Sequence, residues 1–168
     1  WNPDRYVYFA ARFSEPIKDF TILQEGKPVI YNTKRFRSSL EAWGRALQAC
    51  VIFPTRAGQQ VCVKVAVSAV GTDGALKNLT EVENLSFEQC RSRAEALWEK
   101  ELGKYELDPS ADLKTKQTFY TSVYRTAQHP FLFQDVDGRF REHDKTIGKA
   151  EGFTNYTTFS LWDTLAYP

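Results

Sequence analysis

Val61-Cys62-Val63-Lys64-Val65-Ala66-Val67-Ser68-Ala69 alternates with the two-residue repeat of a β-strand. Val61, Val63, Val65, Val67 and Ala69 point one way, and Cys62, Lys64, Ala66 and Ser68 the other. Upstream the chain keeps this character. In Arg5–Ser14 one face carries Val7, Phe9, Ala11 and Phe13, while Tyr6, Tyr8 and Arg12 occupy the other. Ile17–Gln24 is a second strand, Glu25-Gly26-Lys27-Pro28 a turn into Val29-Ile30-Tyr31, and Asn32–Ser39 a polar loop. Ala46–Phe53 is a short apolar run ended by Pro54. Several strands with turn signals between them read as part of a β-sandwich.

Downstream the signal changes at Gly71-Thr72-Asp73-Gly74. Ala75–Glu83 reads as a short helix with Ala75, Leu79 and Val82 on one side. Ser86 and Gln89 make a capping box, and Phe87, Cys90, Ala94, Leu97, Trp98 and Leu102 follow at helical spacing up to Gly103. Trp98 is expected in the core, against the strands. Tyr105–Ser110 is a linker, after which Asp112 caps a helix with Leu113, Lys116, Tyr120, Val123, Tyr124 and Ala127 on one stripe, closed by Pro130. Phe131–Gly152 shows no clean period and reads as loop. The fold class is mixed, β and then α.

Composition sets limits. The chain has 168 residues, 42% apolar and 26% charged, which fits one domain or pieces of two. A net charge of +1 without a basic stripe argues against nucleic acid as a partner. No apolar run is long enough to span a membrane, and no signal peptide is visible. Cys50, Cys62 and Cys90 show no metal spacing. Cys50 and Cys62, expected in neighbouring strands, can pair in an oxidising compartment; buried free thiols are the simpler expectation. The chain lacks methionine and opens on Trp1, as an internal piece of a longer polypeptide would.

Few spacings specify chemistry. Asp135-Val136-Asp137-Gly138-Arg139 has a calcium-loop look but lacks the later ligands, and reads as a tight turn. Asp135, Asp137, Glu142, Asp144, Glu151 and Asp163 qualify by type as acid–base groups, but no spacing selects a pair. His129 and His143 have no nucleophile to serve. Asn78, Asn84 and Asn155 begin Asn-x-Ser/Thr sequons, which matter only in a source that glycosylates exported proteins. In Gly152–Thr164, Trp162 offers a ring face and Asp163 a carboxylate for vicinal hydroxyls, as a pyranose requires. Spacing alone leaves that stretch balanced between a sugar site and an ordinary core helix.

Phe119-Tyr120-Thr121-Ser122-Val123-Tyr124-Arg125-Thr126, Asp135-Val136-Asp137-Gly138-Arg139-Phe140-Arg141, Tyr156-Thr157 and Phe159-Ser160-Leu161-Trp162-Asp163-Thr164 stand in an order that resembles glycoside hydrolase family 92. Members are calcium-dependent, inverting, exo-acting α-mannosidases. The resemblance implies the C-terminal part of a β-sandwich (1–72), a helical connector (73–111) and the start of an (α/α)6 barrel (112–168). It also implies that Trp162 and Asp163 bind the terminal mannose of a glycan. The general acid, general base and calcium ligands match no residue of this chain, so no catalytic or metal-binding residue is assigned. The isolated chain is therefore expected to be inactive. Location in the periplasm or outside the cell follows from the resemblance alone. A non-catalytic carbohydrate-binding or structural β-sandwich module is the alternative. Arg125 stands where many members carry His, and Leu165-Ala166-Tyr167-Pro168 departs from the family's continuation.

Overall fold

The computed structural model describes residues 6–29 and 42–157. Strands come first and helices after them: β1 (Tyr8–Phe13), β2 (Asp19–Gln24), β3 (Lys27–Pro28), β4 (Leu47–Ile52), β5 (Val63–Ser68), α1 (Thr72–Asn78), α2 (Phe87–Leu102), α3 (Leu113–Thr126), β6 (Arg139–Arg141) and β7 (Ile147–Lys149). The chain divides into two compact units, Arg12–Val63 and the residues on either side of it.

In the Arg12–Val63 unit the sheet order is β3-β2-β4. β2 and β4 run antiparallel, from Asp19↔Ile52 to Gln24↔Leu47. Glu25 and Gly26 both adopt positive φ, 51° and 78°, in a two-residue loop between Gln24 and Lys27. Positive φ at both central positions matches the right-handed twist of a hairpin. The turn is thus shorter than the sequence implies, because Lys27 and Pro28 already belong to a strand. Cys50 pairs opposite Thr21 of β2, and Cys62 lies outside the strands, its N–H donating to Ser14 Oγ. The two cysteines are free and exposed, which corrects the expectation of neighbouring strands and buried thiols. The predicted loop Asn32–Ser39 lies outside the described residues.

β1 and β5, whose greater part belongs to the other unit, form a two-stranded sheet. β5 alternates as read, but the valine face is the open one: Val65 and Val67 are 57% and 59% exposed, while Ser68 is 4% exposed. Inward, Ala10, Ala75 and Leu79 make a small apolar core with Ala66 against it. α1 begins three residues before the predicted start and passes into a 3-10 turn, Leu79–Glu81. Ser86 caps α2, accepting from the Gln89 N–H, and the Gln89 side chain accepts from the Ser86 N–H, so both bonds of the capping box are present. Asp112 caps α3 through the Thr115 N–H. Trp98 packs on Tyr124 of α3, ring centroids 4.5 Å apart, rather than on the strands. The segment read as loop contains a hairpin, β6–β7, in register Phe140↔Gly148.

Candidate functional site

Beside the Ala10–Ala75–Leu79 core lies a buried polar knot. The Asp135 carboxylate is 4% exposed and accepts from Ser68 Oγ at 2.7 Å and from Asn78 Nδ2 at 2.8 Å. Asn78 Nδ2 also donates to the Val67 carbonyl at 2.9 Å, and its Oδ1 accepts from the Val136 N–H at 2.9 Å. Ser68 Oγ in turn accepts from the N–H groups of Val70 and Gly71. Each polar atom is thereby matched to a partner, the condition for burying it without loss. Gly74, in the first turn of α1, makes the close approach possible. A Cβ there would stand 2.6 Å from Ser68 Oγ and nearer still to the Asp135 carboxylate.

Around the knot runs a layer of charge. The Asp137 carboxylate accepts from Lys77 Nζ at 2.8 Å and from Arg139 Nε at 2.9 Å. Arg139 reaches Asp73 with its other arm at 2.7 Å. Arg141 Nε donates to the Ala69 carbonyl at 2.6 Å, its Nη2 donates to that of Val70, and its guanidinium lies over the Tyr6 ring. Together these bonds fasten the β6–β7 hairpin to the corner between β5 and α1.

Lys77, and then Arg139, hold the Asp137 carboxyl far below the usual carboxylate range. Its pairing therefore stabilises the folded state fully above the unfolded pKa, about 4. That contribution fades as pH falls through the depressed folded value. We expect the thermal midpoint to fall when pH is lowered from about 6 towards about 2. In Asp137→Asn the fall is smaller, and equal falls in both proteins refute the assignment.

Beyond Asp135 the chain forms a short ladder. The Phe133 N–H donates to the Asn155 carbonyl at 2.9 Å, and the Thr157 N–H to that of Phe131 at 2.9 Å. Asn155 Nδ2 donates to the Phe133 carbonyl, and Gln134 Oε1 accepts from the Asn155 N–H, both at 2.7 Å. Leu132 and Tyr156 stand opposite one another. Trp162 and Asp163, the expected mannose-binding pair, follow in sequence but lie outside the described residues.

Of the other carboxylates named from sequence, Asp144 and Glu151 serve local structure. Asp137-Gly138 is the expected tight turn, with the Gly138 N–H donating to the Asp135 carbonyl and Gly138 at φ 82°. The Asp135 side chain, however, leaves the turn for Ser68 and Asn78. Asp144 accepts from the Thr146 N–H, and Glu151 pairs loosely with Lys149 at 3.5 Å. His129 is exposed, its ring 5.4 Å from that of Phe131. No three His, Cys, Asp or Glu among the described residues stand close enough to hold a metal ion. A groove of about 410 Å³ is lined by Val65, Val67, Asn78, Glu81, Leu132, Gln134, Asp135 and Val136, among others. Its carboxylate wall, Asp135, is already taken up by Ser68 and Asn78. The sequence reading passes over Ser68 and Gly74. The available signal is a hydroxyl on the inward face of the clearest strand.

Residues 74–166 match the model of the glycosyl hydrolase family 92 catalytic domain. Among solved structures, the family GH92 α-mannosidase BT3965 from Bacteroides thetaiotaomicron is 62% identical, with a TM-score of 0.88 over 98% of this chain and 22% of that one. A second structure of that enzyme, in complex with mannoimidazole, matches with the same identity and TM-score. The GH92 glycosyl hydrolase ccman5, at 24% identity and TM-score 0.73 over 93% of this chain and 20% of that one, shares the fold. A comparison with curated proteins gives no match. The chain thus has the fold of a glycoside hydrolase segment, strands followed by helices, as in the N-terminal part of those structures. It belongs to glycoside hydrolase family 92, and spans about a fifth of the length of the α-mannosidase it matches, 22%.

Proposed function

We propose that this chain is part of an inverting exo-α-mannosidase and supplies part of the subsite for a terminal α-linked mannose, through Trp162 and Asp163. The observation that carries this reading is 62% identity to an α-mannosidase across 98% of the chain. The mannoimidazole complex of that relative supports a mannose-shaped ligand. The described residues contribute a scaffold: the knot fixes Asp135, Gln134 beside it holds Asn155, and the ladder ties 131–133 to 155–157.

In the complete enzyme a carboxylate activates water on the face opposite the leaving group while a carboxylic acid protonates the glycosidic oxygen. Inversion requires about 6.5–9.5 Å between the two groups. Both are assigned to segments outside this chain, as are the ligands of the calcium ion. The ion, when bound, supplies a hard Lewis acid for sugar hydroxyls. The parent protein works in the periplasm or outside the cell.

Ligand-observed NMR with mannoimidazole, alongside an aryl α-mannoside assay with added calcium, tests the reading. The chain binds weakly, Trp162→Ala and Asp163→Ala remove the signal, and none of the three proteins hydrolyses the mannoside. Absence of binding, or binding that survives both substitutions, overturns the subsite. Hydrolysis by the chain overturns the placement of the acid and base.

A further inference from the structure

The three sequons differ in what the fold has already done with their amides. Asn78 Nδ2 spends both hydrogens, one on the Val67 carbonyl and one on the Asp135 carboxylate. An N-linked sugar replaces one hydrogen of that nitrogen, so a glycan at Asn78 must break one of these bonds beside a buried carboxylate. Asn155 is half-buried, with its Nδ2 facing the Phe133 carbonyl at 2.7 Å. Asn84 is exposed in the turn that precedes α2, and among the described residues nothing bonds its side chain.

We propose that Asn84 is the one of the three sequons that accepts an N-linked glycan in the folded protein. The donor is an oligosaccharide carried on a lipid diphosphate. Asn84 Nδ2 forms a bond to the anomeric carbon, and the bond from that carbon to the diphosphate oxygen breaks. The departing diphosphate keeps the electron pair, and the proton lost from the amide ends on it. The product carries its sugar on a solvent-facing turn and keeps every hydrogen bond of the knot. Glycosylation at Asn78 costs one of its two bonds, to the Val67 carbonyl or to the Asp135 carboxylate, beside a buried group.

The folded chain is incubated with a single-subunit oligosaccharyltransferase and a lipid-linked oligosaccharide, and each sequon is read by peptide mass spectrometry. A urea-unfolded sample serves as the comparison. The expected result is sugar on Asn84 in the folded chain, with Asn78 and Asn155 gaining it only after unfolding. In Asn84→Gln the folded chain takes no sugar, while its circular dichroism is unchanged. Labelling of Asn78 or Asn155 in the folded chain to the level of Asn84 overturns the proposal. So does an unlabelled Asn84.

Discussion

Gly74→Ala lowers the unfolding free energy by about 2–3 kcal/mol, the upper part of the range of about 1–3 kcal/mol for forcing extra carbon into a filled site. Two effects oppose each other. Alanine favours a helix over glycine by about 1 kcal/mol, and Gly74 is the third residue of α1. Against that, the added Cβ must displace Ser68 Oγ, 2.6 Å away, and the Asp135 carboxylate, which is closer still. Neither group can yield cheaply. Ser68 is held by two backbone N–H groups and Asp135 by Ser68 and Asn78, so moving either unmakes bonds of buried groups. Each donor or acceptor left buried and unpaired costs about 1–3 kcal/mol, which exceeds the helix gain. Urea unfolding followed by circular dichroism reads the balance. A variant as stable as the parent, or more so, means that the packing around Asp135 is loose.

What can be read from sequence follows from how local each signal is. Ser86 and Gln89 announce α2, and Asp112 announces α3, because a cap bonds within its own turn. The β5 alternation is equally local, but the choice of buried face is not. Alternation gives two faces without saying which is buried; the structure turns Ser68 inward and leaves Val65 and Val67 exposed. Ser68 meets a carboxylate 67 residues further on, and Lys64 Nζ reaches the Glu83 carbonyl. The β6–β7 hairpin escapes a periodicity reading because its strands have three residues each, too few for an alternation to show. Its turn carries Lys145 at φ 74°, a conformation for which lysine is no signal. Spacing misplaces Trp98 for a related reason. Helical periodicity gives the face of α2 but not the partner of Trp98, which proves to be Tyr124 of α3. The family motifs, by contrast, are legible as ordered words. The part of the sugar site that they name, Trp162 and Asp163, lies outside the described residues.

Asp135→Ala is expected to cost about 3 kcal/mol, within the range for removing one partner of a buried charged network. The substitution leaves the Ser68 hydroxyl and one Asn78 amide hydrogen facing a void. Asp135→Asn keeps the shape and still cannot satisfy both donors. Its amide nitrogen must face either Asn78 Nδ2 or Ser68 Oγ. The serine oxygen already accepts from the Val70 and Gly71 N–H groups and has no lone pair to spare. The Asn variant should therefore lose about half as much as the Ala variant, at roughly 1–2 kcal/mol. Combining Gly74→Ala with Asp135→Ala separates packing from hydrogen bonding. The methyl group introduced by the first substitution enters space vacated by the carboxylate, so the double variant loses less than the sum of the two single losses. A coupling above about 1 kcal/mol in that cycle is expected for groups in direct contact. Strict additivity would mean that Gly74 and Asp135 do not compete for the same volume, and the close approach of α1 to the 131–157 segment would need another cause.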